Sequence, residues 1–390
     1  MDIQLAERVN RVKPSPTMAV TARAAEMRAA GHDIIGLGAG EPDFDTPEHI
    51  SEAAIEAIRQ GQTRYTAVDG TPALKSAIIR KLQRDNALAY EANQILVSSG
   101  AKQSLYNLFS AVLNPGDEVV IPAPYWVSYP DMALLADATP VVIEAGQEQR
   151  FKITPEQLEA AITDHTRIVV LNSPSNPTGS AYSRAEFKAL GEVLRRHPDV
   201  LIASDDIYEH ILWTEAPFCN IVMACPDLFD RTVVVNGVSK GYAMTGWRIG
   251  YAAGPAKVIG AMKKIQSQST SNASSISQAA SVAALDGDQS VIPPMIKAFR
   301  DRHDYVVGRL NAMKGVSCIH GDGTFYAYPN VAGAIDALEA VADDTALAEY
   351  LIDEANVALV PGTAFGLPGH VRISYATSMD NLEKAMDRLE

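Results

Sequence analysis

The sequence has few cysteines, a deficit of positive charge and no long apolar run, and each shortage excludes a class of protein. Three cysteines in 390 residues, with no C-x-x-C pair, cannot build a disulfide framework and indicate a reducing compartment. Acidic residues outnumber basic ones by 47 to 33, which argues against nucleic acid or an anionic membrane as partner. No run reaches the length of a membrane span, and the N-terminal residues lack the apolar core of a signal peptide. We therefore expect a cytoplasmic protein.

Two glycine-rich nucleotide sites are also missing. Gly36-x-Gly38 ends an apolar run, but a dinucleotide fingerprint requires a third glycine where Glu41 stands. Pro42 then blocks the helix that should receive the pyrophosphate. The phosphate loop G-x-x-x-x-G-K-[ST] does not occur. The sequence predicts neither nucleotide-binding class, and no metal site is predicted.

What the chain does contain is enough apolar sequence for a sizeable core. Hydrophobic residues make up 47% of the chain, and its length suits one large and one smaller domain. Helix starts are predicted where threonine precedes proline, at Thr46, Thr71 and Thr154, the last within a capping box. Apolar runs typical of buried strands occupy residues 95–99, 118–122, 166–172 and 200–204.

One further stretch carries reactive side chains between two such runs. Apolar residues 232–235 are followed by Ser239-Lys240 in a turn, then by Arg248 and a second apolar run at 249–253. A lysine in this position can be desolvated and crowded by the Arg248 guanidinium. Both effects lower the pKa of its amine and make it a nucleophile toward carbonyls. For the pair alone, an ordinary surface turn explains the residues equally well.

The full string S-K-x-x-x-M-T-G-W-R-I-G-Y, which begins at Ser239, resembles the class I aminotransferases, enzymes of pyridoxal 5'-phosphate (PLP) fold type I. The resemblance covers nearly the whole chain and is closest to the bacterial aspartate aminotransferase branch. It implies an α/β fold with a large domain, whose mostly parallel sheet lies between helices, and a smaller α+β domain. It also implies that Lys240 holds PLP covalently and that Arg248 binds the PLP phosphate.

The resemblance divides the chain into three parts. Residues 1–47 are expected to form an N-terminal arm and part of the small domain. Residues 48–292 form the large PLP-binding domain, and residues 293–390 form the small C-terminal domain. The crossing is predicted at Pro293-Pro294, which open a long helical pattern.

A second phosphate contact is predicted where Gly100-Ala101-Lys102 turns a strand into a helix. Free N–H groups and the helix dipole at such a turn favour an anion. Within the resemblance this turn is the phosphate cradle of PLP. Many relatives also carry a serine three residues before the lysine, but Gly237 stands there, so Ser239 is the candidate for that contact.

Four more residues match positions around the PLP ring. The resemblance implies that Trp126 stacks on the pyridine ring and that Asp205, at the carboxyl end of a strand, keeps the ring nitrogen protonated. Asn176 and Tyr208 share the phenolic oxygen, and the Asn176-Pro177 bond is often cis in the family. Local packing of Trp126 and a helix-capping role of Asp205 are the alternatives for each residue alone.

The substrate residues implied by the resemblance come from distant parts of the chain. The backbone at Gly40 faces the substrate carboxylate, and Arg372 clasps the α-carboxylate through its planar guanidinium. Trp126 and Asn176 also border the substrate. Lys13 is a hypothesis for the distal carboxylate, because some relatives that also take prephenate have a lysine there. A solvated residue of the arm is the alternative for Lys13.

Tyr65 carries the prediction about assembly. In the family the matching tyrosine reaches across a dimer interface to the phosphate of the neighbouring subunit. The resemblance therefore implies a homodimer with shared active sites. A half-buried loop aromatic is the alternative interpretation of Tyr65.

We expect transamination between an L-amino acid, with aspartate as the first candidate, and a 2-oxo acid, with 2-oxoglutarate as the first candidate. Prephenate, aromatic amino acids or alanine are alternative substrates. A PLP-dependent C–S lyase of the same fold is another alternative. A non-catalytic regulator would carry a basic DNA-binding module ahead of this domain, whereas this acidic chain begins directly at the arm.

Overall fold

The protein, described by a computed structural model of one chain, is defined over residues 3–14 and 16–390. Residues 1, 2 and 15 of the predicted arm lie outside the described residues. Short runs rich in valine, isoleucine and alanine form the strands. They are β1 (Ile35–Gly36), β2 (Ile95–Ser98), β3 (Glu118–Ala123), β4 (Thr139–Glu144), β5 (Thr166–Asn172), β6 (Leu201–Asp205), β7 (Thr232–Gly237), β8 (Gly250–Ala253), β9 (Tyr326–Ala327), β10 (Val357–Ala358), β11 (Val360–Pro361) and β12 (Val371–Ser374).

Helices alternate with these strands along most of the chain. They are α1 (Glu7–Asn10), α2 (Pro16–Ala29), α3 (Glu48–Arg59), α4 (Pro72–Asn86), α5 (Ala101–Val112), α6 (Ser128–Leu135), α7 (Pro155–Ala161), α8 (Arg184–Arg196), α9 (Ile221–Ala224), α10 (Ala256–Ser269), α11 (Ser275–Asp286), α12 (Ile292–Ala312), α13 (Ala332–Ile335), α14 (Asp344–Ala355) and α15 (Met379–Leu389). Among the described residues, none of these helices has the length and apolar character needed to cross a bilayer.

The large sheet has seven strands in the order β2-β8-β7-β6-β5-β3-β4. All neighbours are parallel except β8, which runs antiparallel to both β2 and β7. Successive residues of each strand point to opposite faces, and both faces are buried under helices. One face carries Val120, Val169, Ile202 and Val234, and the other carries Val119, Ile168, Ala203 and Val233. The expected α/β architecture with a mostly parallel sheet is confirmed.

Strand register places polar residues at one edge of this sheet. Asn172, the last residue of β5, lies opposite Asp205, the last residue of β6, and Asp205 lies opposite Val235 of β7. The chain leaves β7 at this edge and continues into the loop that carries Lys240. The carboxyl ends of parallel strands are where open α/β sheets bind ligands.

A smaller set of strands packs with the C-terminal helices. β12 lies between β11 and β9 in an antiparallel three-stranded sheet, and β1 pairs in parallel with β10. Phe299 of α12 and Ile373 of β12 belong to the apolar core beneath them. The pairing of β1 joins the N-terminal part of the chain to the C-terminal part. The boundaries at residues 47 and 292 stay a prediction.

Two of the three predicted threonine caps are present. Thr71 accepts a hydrogen bond from the backbone N–H of Leu74, and Thr154 forms a capping box with Gln157. The prediction for Thr46 was wrong, since Pro47 occupies the cap of α3 and no side chain caps it. The Thr46 hydroxyl instead bonds to the loop between β7 and β8, which carries Lys240. It donates to the Ala243 carbonyl oxygen at 2.7 Å and accepts from Trp247 Nε1 at 2.9 Å.

Candidate active site

A cavity of about 440 Å³ lies where the carboxyl edge of the large sheet faces the three-stranded sheet. Most of the residues that the sequence singled out line it. They are Gly40, Ala101, Lys102, Trp126, Asn176, Asp205, Tyr208, Ser239, Lys240, Arg248 and Arg372. Gly100 immediately precedes Ala101 at the start of α5. Lys13 and Tyr65, both described by the structure, do not line this cavity.

Lys240 projects into the cavity from the loop after β7. Its Nζ donates a hydrogen bond to the carbonyl oxygen of Gly40 and lies 5.9 Å from the centre of the Tyr208 ring. Burial lowers the pKa of Lys240 to about 8, because the charged ammonium loses its hydration. The nearby guanidinium groups of Arg372 and Arg248 act in the same direction, and the carboxylates of Glu41 and Asp205 oppose it. The predicted direction is therefore present, with burial rather than Arg248 as the larger cause.

Asp205 and Glu41 are the acidic residues among the described residues that line the cavity, and Asp205 is the buried one. Its side chain is buried, and the Tyr129 hydroxyl donates a hydrogen bond to Oδ2. Burial raises the pKa of Asp205 to about 6, while the Tyr129 hydrogen bond and the charge of Lys240 oppose that rise. Asn172 holds the backbone at this point, since its Nδ2 donates to the Asp205 carbonyl oxygen at 2.9 Å. The carboxylate is thus fixed in a site that favours a cationic partner.

The start of α5 and Arg248 form a cationic corner opposite Asp205. The first N–H groups of a helix have no partner within the helix and face outward with the positive end of its dipole. A Cβ atom on Gly100 would lie 2.4 Å from Arg248 Nη2, so the guanidinium rests directly on this turn. A Cβ atom on Gly250 would lie 2.1 Å from the backbone nitrogen of Ala101. The corner exists only because both positions lack a side chain.

Lys102 and Trp126 extend this corner along the cavity wall. Lys102 Nζ lies 4.9 Å from the centre of the Trp126 ring, within the range of a cation–π contact. Burial and the charge of Arg248 both lower the pKa of Lys102. Trp126 also meets Tyr129 edge-on, with ring centres 5.3 Å apart. The wall therefore combines a flat apolar surface with positive charge.

Gly237 stands where many relatives carry a serine, and its lack of a side chain has a steric explanation. A Cβ atom on Gly237 would lie 2.8 Å from the Ile249 carbonyl oxygen and 3.0 Å from Gly250 Cα. β7 and β8 are paired at this point, so a side chain at 237 would meet backbone and force the strands apart. Ser239, two residues later, is buried and lines the cavity.

Arg372 occupies the opposite wall, in the middle of β12. It is only 2% exposed, and its guanidinium lies over the rings of Tyr326 and Phe365, at 4.4 and 5.0 Å from their centres. Nη1 donates to Asn176 Oδ1 at 2.9 Å and Nη2 donates to the Gly38 carbonyl oxygen at 2.7 Å. Nε is buried without a partner, and none of the hydrogen bonds of Arg372 within the described residues goes to a carboxylate.

A buried guanidinium without a counter-ion is costly, because its lost hydration is not repaid. Neutral oxygens of an amide and a peptide group orient Arg372 but leave its charge uncompensated. The arrangement can therefore bind an anion that enters the cavity. Lys240 lines the same cavity and supplies an amine within the same space.

Two tyrosines of the site were missed by the sequence analysis. Tyr129 follows Trp126 by one helical turn, and only its spacing from that residue pointed to the cavity. Tyr326 leads β9, and its hydroxyl lies 3.0 Å from the hydroxyl of Tyr208. A Cβ atom on Gly40 would lie 3.0 Å from the same Tyr326 oxygen, so the backbone there approaches the tyrosine closely. Both tyrosines complete the first layer of side chains around Asp205 and Arg372.

The two remaining predicted residues are on the surface of the single chain. Lys13 is exposed, and its charge acts on Asp131 of α6. Tyr65 is 92% exposed. The role assigned to Tyr65 requires a second subunit, and the roles of both residues stay predictions.

Comparison with known proteins agrees with this geometry. The family model for aminotransferase class I and II matches residues 32–389. An aspartate/prephenate aminotransferase of Nitrosomonas europaea is 58% identical, with 99% of each chain covered. An aspartate aminotransferase of Rhizobium meliloti is 51% identical, with 99% of this chain and 95% of that protein covered.

Solved structures give the same result. The crystal structure of the Rhizobium meliloti aspartate aminotransferase matches with a TM-score of 0.96 at 50% identity, covering 100% of this chain and 98% of that one. The Thermus thermophilus aspartate aminotransferase with maleate matches with a TM-score of 0.93 at 42% identity, covering 100% and 99%. From its sequence, its fold and the side chains gathered in its cavity, the chain belongs to the class I and II aminotransferases.

Proposed function

We propose that this protein is an aspartate aminotransferase that uses PLP and passes the amino group to 2-oxoglutarate. The observation that carries the proposal is the buried, uncompensated guanidinium of Arg372 in the same cavity as the amine of Lys240. An α-amino acid presents a carboxylate and a reactive Cα–N unit at once. The two side chains match those two features.

The donor set of the cavity fits PLP. The N-terminus of α5, Arg248 and Ser239 together suit a phosphate, in a cradle that a Cβ atom on Gly100 would fill. Asp205 suits a protonated ring nitrogen, because a buried carboxylate is stabilised by a cation. When bound, PLP supplies the electron sink for the electrons that remain on the substrate Cα after its proton leaves.

The protein's own side chains supply binding, orientation and proton transfer. Arg372 holds the α-carboxylate, and its contacts with Asn176 and Gly38 fix the plane of the guanidinium before substrate arrives. Lys240 Nζ would take the proton from the substrate Cα and would then give it up to the bound cofactor, which returns the amine to its neutral form. The lowered pKa of Lys240, about 8, raises the share of neutral amine available as a base near neutral pH. Trp126 forms part of the cavity wall and helps to exclude water from the cavity.

Selection of a dicarboxylic substrate is the less complete part of the proposal. The arm is tied to the turn after α6, since Arg11 pairs with Asp137 at 2.5 Å. Lys13 follows on the same arm, and we assign it to the distal carboxylate of aspartate. The Thermus thermophilus neighbour named with maleate, a dicarboxylate, supports a substrate of this class.

Prephenate is the second candidate as amino acceptor. The relatives from Nitrosomonas europaea and Cereibacter sphaeroides, at 58% and 56% identity, are both named aspartate/prephenate aminotransferases. Their names support testing this acceptor beside 2-oxoglutarate.

The proposal includes a homodimer in the cytoplasm. The side chain of Tyr65 is exposed on the single chain, and in the proposed dimer it contacts the cofactor phosphate of the other subunit. The three cysteines are buried free thiols, which supports a reducing compartment.

Initial rates decide the proposal. With aspartate and 2-oxoglutarate varied together, parallel double-reciprocal lines are expected, because the first product leaves before the second substrate binds. Alanine, phenylalanine and prephenate, offered in place of aspartate or 2-oxoglutarate, rank the alternatives. Release of pyruvate and ammonia from cysteine or cystathionine without any oxo acid would identify a C–S lyase instead. Protein that binds no PLP would contradict the proposal as a whole.

A further inference from the structure

The segment that follows Tyr65 closes the open edge of the large sheet. β2 is an edge strand, so its outward N–H and C=O groups need partners from elsewhere. The backbone N–H of Val97 donates to the Asp69 carbonyl oxygen at 3.1 Å. The Val97 carbonyl oxygen accepts from Gln266 Nε2 at 2.8 Å. A loop and one side chain of α10 thus complete this edge.

Gln266 is fully buried and uses its whole hydrogen-bonding capacity. Its Nε2 donates to the carbonyl oxygens of Val68 and Val97, both at 2.8 Å. Its Oε1 accepts from Ser98 Oγ at 2.8 Å and from Asn107 Nδ2 at 2.9 Å. One amide therefore joins the segment after Tyr65, the end of β2 and the middle of α5.

Contact between the segment and β2 is unusually close at Gly70. Its φ is +105°, and a Cβ atom there would lie 2.5 Å from Val97 Cγ2. A side chain at 70 is excluded both by this distance and by the backbone conformation. A displacement of the end of β2 must therefore displace the segment as well.

The two parts that Gln266 joins face the two anion sites of the proposed dimer, one in each subunit. Ser98 stands two residues before Gly100, where the cradle at the start of α5 begins. Val68 stands three residues after Tyr65, the residue assigned to the phosphate of the partner subunit. In the proposed dimer, each Gln266 would act on the cradle of its own subunit directly and on the other cradle through Tyr65.

We infer that Gln266 is a positioning residue that couples the segment after Tyr65, residues 66–71, to the phosphate cradle at the start of α5. This inference rests on the proposed function, since that function places the PLP phosphate at the start of α5. Gln266 is not among the described residues that line the cavity, and it acts through the backbone it holds. Loss of the Gln266 amide should loosen both residues 66–71 and the start of α5.

Gln278 of α11 offers a matched control. It is equally buried, and its Oε1 accepts from the Thr71 N–H at 2.8 Å while Nε2 donates to Thr66 Oγ1 at 3.1 Å and to the Ala273 carbonyl oxygen at 2.9 Å. Its hydrogen bonds within the described residues reach the same segment but neither β2 nor α5. Removing it should therefore disturb one of the two coupled parts.

The test compares Gln266→Met with Gln278→Met in the holoenzyme, because methionine keeps the side-chain length and removes every hydrogen bond. Amide hydrogen exchange should speed up in residues 66–71 and 98–104 for Gln266→Met, and only in 66–71 for Gln278→Met. The dissociation constant of PLP should rise about tenfold or more for Gln266→Met, the cost of one or two buried hydrogen bonds. Comparable losses of thermal stability in the two variants would remove global loosening as the cause.

A Tyr65→Phe background separates the two routes. There Gln278→Met should no longer affect PLP binding, whereas Gln266→Met should still weaken it through the cradle. Should Gln266→Met fail to fold, Ser98→Ala removes a single bond to the same amide and should shift exchange in both segments in the same direction.

Unchanged PLP affinity, or faster exchange confined to 66–71 in Gln266→Met, would overturn the inference and leave a structural role only. If the wild-type protein binds no PLP but the exchange of both segments remains linked, the proposed function fails while the coupling stands.

Discussion

Arg372 Nη1 donates a hydrogen bond to Asn176 Oδ1 at 2.9 Å, across 196 positions of sequence. The bond joins β12 of the small sheet to the loop that follows β5 of the large sheet. With Oδ1 engaged, the Nδ2 amide is the part of Asn176 left to donate into the cavity. The hydrogen bond thus holds the carboxylate-binding guanidinium and the Asn176 amide in a fixed relation across the cavity.

Replacing Arg372 by lysine tests this carboxylate site. Lysine keeps the charge but lacks the planar fork, so the KM for aspartate should rise about tenfold to a hundredfold. The half-buried Arg309, which pairs with Asp387 at the surface, provides the control through Arg309→Lys. Initial rates at varied aspartate concentration give the answer, and an unchanged KM would show that the substrate carboxylate binds elsewhere.

Lys240→Ala should abolish transamination and covalent attachment of PLP. Loss of a base that is also the covalent anchor should lower kcat about 10⁴-fold or more. Lys297→Ala, at an exposed ion pair with Asp301, serves as the control. Initial rates and mass spectrometry after borohydride reduction measure both effects. Persistent turnover in Lys240→Ala would exclude the assigned role.

Tyr129→Phe should change the pH dependence of PLP binding. The Tyr129 hydrogen bond lowers the pKa of Asp205 and so opposes the effect of burial, which raises it. Without that donor the pKa of Asp205 rises above about 6, and less of the carboxylate is ionised between pH 6 and 7. Since the ionised form holds the protonated ring nitrogen, affinity should fall first at the acidic end.

Titrating PLP binding between about pH 5 and 8 measures this shift. Tyr182→Phe removes another buried hydroxyl, one that accepts from the Ile153 N–H, and should leave the midpoint in place. A Tyr129→Phe midpoint equal to that of the wild type would contradict the electrostatic link.

Lys13→Met should discriminate between substrates. If Lys13 meets the distal carboxylate, the kcat/KM for aspartate should fall about tenfold to a hundredfold while that for alanine stays constant, because alanine has no such group. Lys297→Met provides the matched surface control. Equal losses for aspartate and alanine would indicate that the arm matters for structure and not for selection.

The sequence by itself determined the local elements and the string around Lys240. Thr71 and Thr154 cap their helices because a hydroxyl satisfies N–H groups only three residues away. Strand ends at Asn172 and Asp205 follow from apolar runs, and the site residues follow them at one edge because parallel strands end together. These features depend on neighbours in the chain, so a pattern can reveal them.

Other features were decided only when distant segments met. The sequence predicts Thr46 as a helix cap, but its hydroxyl bonds instead to Ala243 and Trp247 of the loop that carries Lys240. Gly237 is required by the backbone of β8, and Tyr129 joins the site through its hydrogen bond to Asp205. In sequence Gln266 is one polar residue among several in α10. Only the fold brings its amide to the carbonyl oxygens of Val68 and Val97 at the edge of the large sheet. Periodicity reports which face of an element is buried, whereas strand register and loop packing decide which polar atoms meet there.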